Sequence, residues 1–97
     1  MIRVLVADHH PIVNYGIRML FENSPDIKIV NTASSAKQLL DYLKKSNTDI
    51  VLMSIDLADT NGITVLRTIK KEYRDVAVII FSTHPEDIYA ISAIKAG

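Results

Sequence analysis

The residues of this chain that could do chemistry fall in three short polar stretches: Ala7-Asp8-His9-His10, Ser54-Ile55-Asp56 and Ser82-Thr83-His84. Each follows an apolar run, as when a buried strand ends in a loop. Ser54, His9 and Asp8 have the residue types of a nucleophile, its base and an orienting carboxylate. A serine hydrolase of that kind carries its nucleophile on a strained, glycine-flanked elbow. Met53 and Ile55 flank Ser54 instead, so the favoured reading is of polar strand-end residues without catalysis. His9, His84 and Asp8 could ligate a transition metal, but their spacing carries no ligand signature. Asp56 and Asp59 lie in a polar loop, where Asp initiates turns and tolerates unusual backbone angles. Tyr89, with an apolar body and a polar tip, serves either half-buried packing or a partner surface.

The first strand–helix turn, ADHHPIVNYG, has no glycine near the strand end. That removes the dinucleotide fingerprint and the phosphate-cradling loop. Eleven basic residues balance eleven acidic ones, which leaves no electrostatic footprint for nucleic acid or an anionic membrane. Cysteine is absent, which excludes disulfides and thiolate metal sites and fits a cytosolic protein. No apolar run approaches the roughly 18 residues of a membrane span. The N-terminal MIRVLVAD is too short and too quickly acidic for a signal peptide.

The elements that must position these residues alternate in period. Ninety-seven residues, 48% of them hydrophobic, make one domain at most, with enough apolar material for a core. Ile2 to Ala7 reads as a strand. A helix follows, with Pro11 in its first turn and a stripe of Ile12, Val13, Ile17, Leu20 and Phe21. Ile27 to Val30 is a second strand. Ser35 with Gln38 makes a capping box before the stripe Ala36, Leu39, Leu40 and Leu43. Asp49 to Ser54 is a third strand, and Ile63, Leu66, Ile69, Lys70 and Tyr73 trace a third helix. Val76 to Phe81 is a fourth strand. Thr83 and Glu86 form another capping box, and Ile88, Ile91 and Ile94 mark a fourth helix.

Strands alternating with helices imply an α/β fold, a doubly wound parallel sheet covered on both faces. Ligands in such sheets sit beyond the carboxyl ends of the strands, where the three polar stretches lie. VAVIIF has no charge or proline and reads as buried on both faces and both edges. As a last strand it would leave a flat apolar edge, so a fifth strand and helix are expected to be missing from this chain.

VLVADHHPIV, DIVLMSIDLADTNGITVLRTIK and VIIFSTHPEDIYAISAIKAG together resemble the receiver domain of bacterial two-component response regulators. The His10-Pro11 pair, and Ser82-Thr83-His84 after the fourth strand, are similar to the NarL/LuxR-type transcriptional branch. The resemblance runs along the whole chain in order. It implies a flavodoxin-like sheet in the order 2-1-3-4-5, with the last strand and helix absent. Residues 1–97 would be a C-terminally incomplete receiver domain, with any DNA-binding helix-turn-helix beyond residue 97.

In that family a histidine kinase donates a phosphoryl group to an aspartate at the end of strand three, and Mg²⁺ shields the charges. Carried over position by position, the first acid of the pocket is Asp8 and the second falls on His9. The phosphoacceptor falls on Ser54, the phosphoryl-binding hydroxyl on Ser82, and the loop carbonyl on Asp56. A serine hydroxyl is un-ionised at neutral pH, so it forms no acyl phosphate and gives the metal no charge. Imidazole prefers softer metals than Mg²⁺. Asp56, two residues past Ser54, should not reach the same point.

The resemblance therefore implies a phosphorylation-independent receiver that is not an enzyme. It needs no cofactor, and Mg²⁺ binding, through Asp8 and Asp56, would be weak or lost. Its partners would be proteins, including a second copy, in the cytoplasm. DNA would be met only through a domain outside this chain, and no membrane is involved. A histidine kinase is a partner if the native residue at position 54 is aspartate. Two other readings stand beside this one: an ordinary phospho-receiver inactivated by an engineered Ser54, and a small α/β hydrolase using Ser54 and His9. Two departures in one pocket favour natural drift over a single designed change.

Overall fold

The computed structural model describes residues 1–55, 57 and 59–81. In chain order these form β1 (Ile2–Ala7), α1 (Pro11–Leu20), β2 (Ile27–Ala33), α2 (Ala36–Lys45), β3 (Ile50–Ser54), α3 (Gly62–Glu72) and β4 (Ala77–Phe81). The expected fourth helix, its capping box and Tyr89 lie outside the described residues. All strand pairs are parallel, in the order β2-β1-β3-β4, as expected for the first four strands. The connection after β1 runs to β2 on one side and the connection after β3 runs to β4 on the other, so the crevice between β1 and β3 opens at their carboxyl ends.

One face of the sheet carries the main core. Leu5 and Ala7 of β1, Val51 and Met53 of β3 and Ile80 of β4 meet Ala36, Leu39 and Leu43 of α2 and Val65, Leu66 and Ile69 of α3. The apolar spacing on both helices is that of a single inward stripe. Removing one of these side chains, such as Leu39, should cost about 2–5 kcal/mol. On the opposite face, α1 packs on β1 and β2. The β4 position on that side, Ile79, is 48% exposed.

Several expectations are corrected. Ile12 and Leu20 are exposed and do not join the inward stripe of α1. Val13, Ile17 and Phe21 are half-buried, and Asn14 is buried instead. The strand VAVIIF is not buried on both faces, because Ala77 and Ile79 are exposed. β3 and β4 each begin one residue later than expected. β2 runs three residues further, to Ala33. Val4 pairs with Ile29 and Leu5 with Asn31, so Val30 is an extra residue at a bulge and pairing resumes beyond it. Half of the first capping box forms as expected: Ser35 Oγ accepts from Gln38 N–H at 3.2 Å. The return bond shifts by one residue, with Gln38 Oε1 accepting from Ser34 N–H at 2.8 Å. Among the described residues, no helix is long and apolar enough to cross a membrane.

Candidate functional site

Parallel pairing brings the strand ends together. Ala7 is in register with Met53 across β1 and β3, and Asp8 and Ser54 are the residues that follow this last pair on the two neighbouring strands. Ser54 is in turn in register with Phe81 of β4. Asp8 and Ser54 are both buried, at 1% and 5% exposure. The structure thus brings together two of the residues singled out from the sequence. Asp56 and Ser82, like His84 and Tyr89, lie outside the described residues.

Asp8 is held from three sides. Its Oδ1 accepts from the His10 backbone N–H at 2.6 Å and lies 3.1 Å from His10 Nδ1. Its own N–H donates to the Ala33 carbonyl at 3.0 Å. Its carbonyl accepts from Asn14 Nδ2 at 3.1 Å, and the same amide donates to the Ala33 carbonyl at 3.1 Å. Asn14 therefore joins the ends of β1 and β2. Sequence reasoning missed it, although a polar residue between Val13 and Ile17 interrupts an apolar arc and so signals a buried hydrogen-bonding role. His9 is exposed on the rim, its ring edge-on to that of His10 with centroids 5.1 Å apart.

The main chain at Ser54 is fixed by the start of α3. Gly62 N–H donates to the Ile55 carbonyl at 2.7 Å. A Cβ at position 62 would stand 2.6 Å from the Ser54 carbonyl oxygen and 3.0 Å from Ile55 Cα. Among the described residues no glycine has positive φ, so Gly62 supplies room and not an unusual backbone angle. Asn61 begins the helix by accepting the Ile63 N–H at 2.8 Å.

Asp59, expected to act only as a turn former, reaches across to α2. Its Oδ1 accepts from Ala36 N–H at 2.7 Å and its Oδ2 from Lys37 N–H at 3.2 Å. The Ala36 N–H is the main cause that holds this carboxyl below its ordinary value. Burial opposes the shift, and the Lys37 N–H and Asp59's own N–H add to it.

The donor set at Asp8, His9 and Ser54 is one carboxylate already engaged by a backbone N–H, one imidazole and one neutral hydroxyl. A hard cation such as Mg²⁺ takes carboxylate and carbonyl oxygens in near-octahedral array, and these three side chains do not fit it. Among the described residues, no three His, Cys, Asp or Glu side chains are grouped to hold a metal ion.

Comparison with known proteins gives the context for this rim. The response regulator receiver domain family matches residues 4–97. Fimbriae Z protein of Escherichia coli K12 is 35% identical over 94 residues, which are 97% of this chain and 45% of that protein. A LuxR-family two-component response regulator from Aurantimonas superposes with a TM-score of 0.87 at 32% identity, covering 98% of this chain and 68% of the other. RcsB of Salmonella enterica serovar Typhimurium, bound to promoter rprA with phosphomimetic BeF3-, superposes with a TM-score of 0.85. It is 21% identical, covering 96% of this chain and 55% of that one, and shows the fold alone. This chain spans under half the length of the curated relatives it matches. These relatives are response regulators and not enzymes, and they give the hydrolase reading no support. A parallel sheet in the order β2-β1-β3-β4, an acidic residue buried at the end of β1 and a family match along nearly the whole length place the chain in the response-regulator receiver family, in its LuxR-type branch.

Proposed function

We propose that this receiver domain signals by protein contacts and does not depend on aspartyl phosphorylation. The observation that carries the reading is Ser54, buried at the end of β3, where it and Asp8 follow the last register pair of β1 and β3. The position that faces the rim from β3 offers a hydroxyl and no carboxylate, so no acyl phosphate forms there. Asp8, the neighbouring acid, is engaged by the His10 backbone, and His9 replaces the hard-metal ligand that the family resemblance places after it. In this reading residues 1–97 are a cytoplasmic receiver module whose partners are proteins, including a second copy. Contact with DNA belongs to a domain beyond residue 97, in keeping with the promoter-bound structure of RcsB.

The test is intact-mass spectrometry after incubation with acetyl phosphate and Mg²⁺, with Ser54→Asp alongside. The expected result is no added phosphoryl mass on the wild-type chain. A hydroxylamine-labile adduct on the wild type would mean that another carboxylate accepts the group, and the reading would fall. Asp8 and Asp56 would then be the positions to substitute.

A further inference from the structure

We infer that Asp59 is a positioning residue: it latches the connection after Ser54 onto the N-terminus of α2 through the Ala36 and Lys37 N–H groups. The first N–H groups of a helix have no partner within the helix. In α2, Ser35 Oγ takes the Gln38 N–H, while the Ala36 and Lys37 N–H groups are taken by Asp59 from 23 and 22 residues away. The first turn of α2 contains no acidic residue, so Asp59 brings a carboxylate from another element to the positive end of the helix. The bonds are charge-assisted, and one is 2.7 Å long.

The connection between β3 and α3 is thereby held at three separate points. Leu57 is buried in the main core, Asp59 is bonded to α2, and Gly62 is pressed against the Ser54 main chain. The first and third are contacts a chain makes on returning to its own sheet. The second links the Ser54 end of β3 to a helix from a different βα unit. A movement that displaces Asp59 therefore has to break its bonds or carry the start of α2 with it. The latch needs no phosphoryl group, so it stands or falls independently of whether position 54 accepts one.

Amide hydrogen exchange, read by NMR on the ¹⁵N-labelled chain, tests this with Asp59→Ala, Asp59→Asn and Ser35→Ala. Asp59→Ala is expected to speed exchange at Ala36, Lys37 and Gly62 by about tenfold, with Asp59→Asn between it and the wild type. Ser35→Ala removes a cap from the same helix end and is expected to speed exchange at Gln38 while leaving Gly62 unchanged. That contrast separates a latch from a general loosening of α2. Gly62 exchange within about twofold of wild type in Asp59→Ala, or an equal rise in Ser35→Ala, overturns the inference. If Asp59→Ala does not fold, Asp59→Asn against wild type decides by the same Gly62 readout.

Discussion

Asp8 and His10 are joined chiefly through the backbone: the carboxylate oxygen sits 2.6 Å from the His10 N–H and 3.1 Å from its ring nitrogen. The shorter contact closes the β1–α1 turn and does not require the imidazole. Asp8→Ala strands a part-buried N–H and should lower stability by about 1–3 kcal/mol. His10→Ala keeps that bond and loses a contact at a largely exposed ring, so about 1 kcal/mol or less is expected. Urea unfolding of both variants checks the order. An equal loss in the two would mean that the ring, and not the main chain, holds the carboxylate.

Ser54→Asp would set a second carboxylate beside Asp8 in a buried position. Like charges at close range disfavour ionisation of both, so the melting temperature without Mg²⁺ should fall. In a chain of this size each kcal/mol lost lowers it by about 4–8 °C. Mg²⁺ should recover part of the fall in the variant and leave the wild type unmoved. Thermal scans with and without the ion read this directly, and an unchanged or higher value in the metal-free variant would count against charge repulsion at this rim.

Gly62→Ala should destabilise the domain by about 1–3 kcal/mol, the range for overpacking. The added methyl meets main chain at Ser54 and Ile55, which cannot rotate aside as a side chain would. Thr64→Ala, on an exposed face of the same helix, is the control and should change stability by about 0.5 kcal/mol or less. Chemical denaturation of the pair gives the comparison.

The Asp59 carboxyl titrates below its ordinary value of 3.8 in the folded chain, first of all because of the Ala36 N–H. The unfolded chain therefore binds this proton at higher pH than the folded one does. The stabilising contribution is fully present above the unfolded value and is lost as pH falls through the lower folded value. The stability difference between wild type and Asp59→Asn should accordingly be constant near neutral pH and shrink on acidification below about pH 4. Urea unfolding of both proteins across that range measures it. A gap that widens on acidification would reverse the sign and exclude the bonded geometry as its source.

The architecture was legible because β1, β3 and β4 are short apolar runs and the helices between them keep a helical period. The outward turn of Ile12 and Leu20 was not legible. α1 is apolar on more than one flank, with Ile12, Tyr15 and Met19 also at helical spacing and all exposed, and periodicity alone does not say which arc faces the sheet. The extension of β2 through Asn31 and Thr32 was hidden for a related reason, since polar residues after a bulge break the alternation that marks a strand.

At the rim, Asp8, His9 and Ser54 could be picked out by type and by position at strand ends. How Asp8 is engaged could not, because its nearest donor is a backbone N–H that every residue but proline carries. Asp59 was read only as a turn former, since a bond across 23 residues leaves no local trace in the sequence. Gly62 carried no distinguishing signal, because what it supplies is space against the Ser54 main chain, which depends on where α3 lands.

The extra residue at Val30 has a consequence for how copies of this domain meet. β2 is an outer strand of the sheet, so among the described residues one of its sides meets no neighbouring strand. A straight strand from another molecule would dock there most readily on a regular ladder. The bulge breaks that ladder between Ile29 and Asn31, and Lys28 adds an exposed charge beside it. β2 is therefore a poor template for strand addition, and this border of the sheet is protected against fibrous aggregation by its own irregularity.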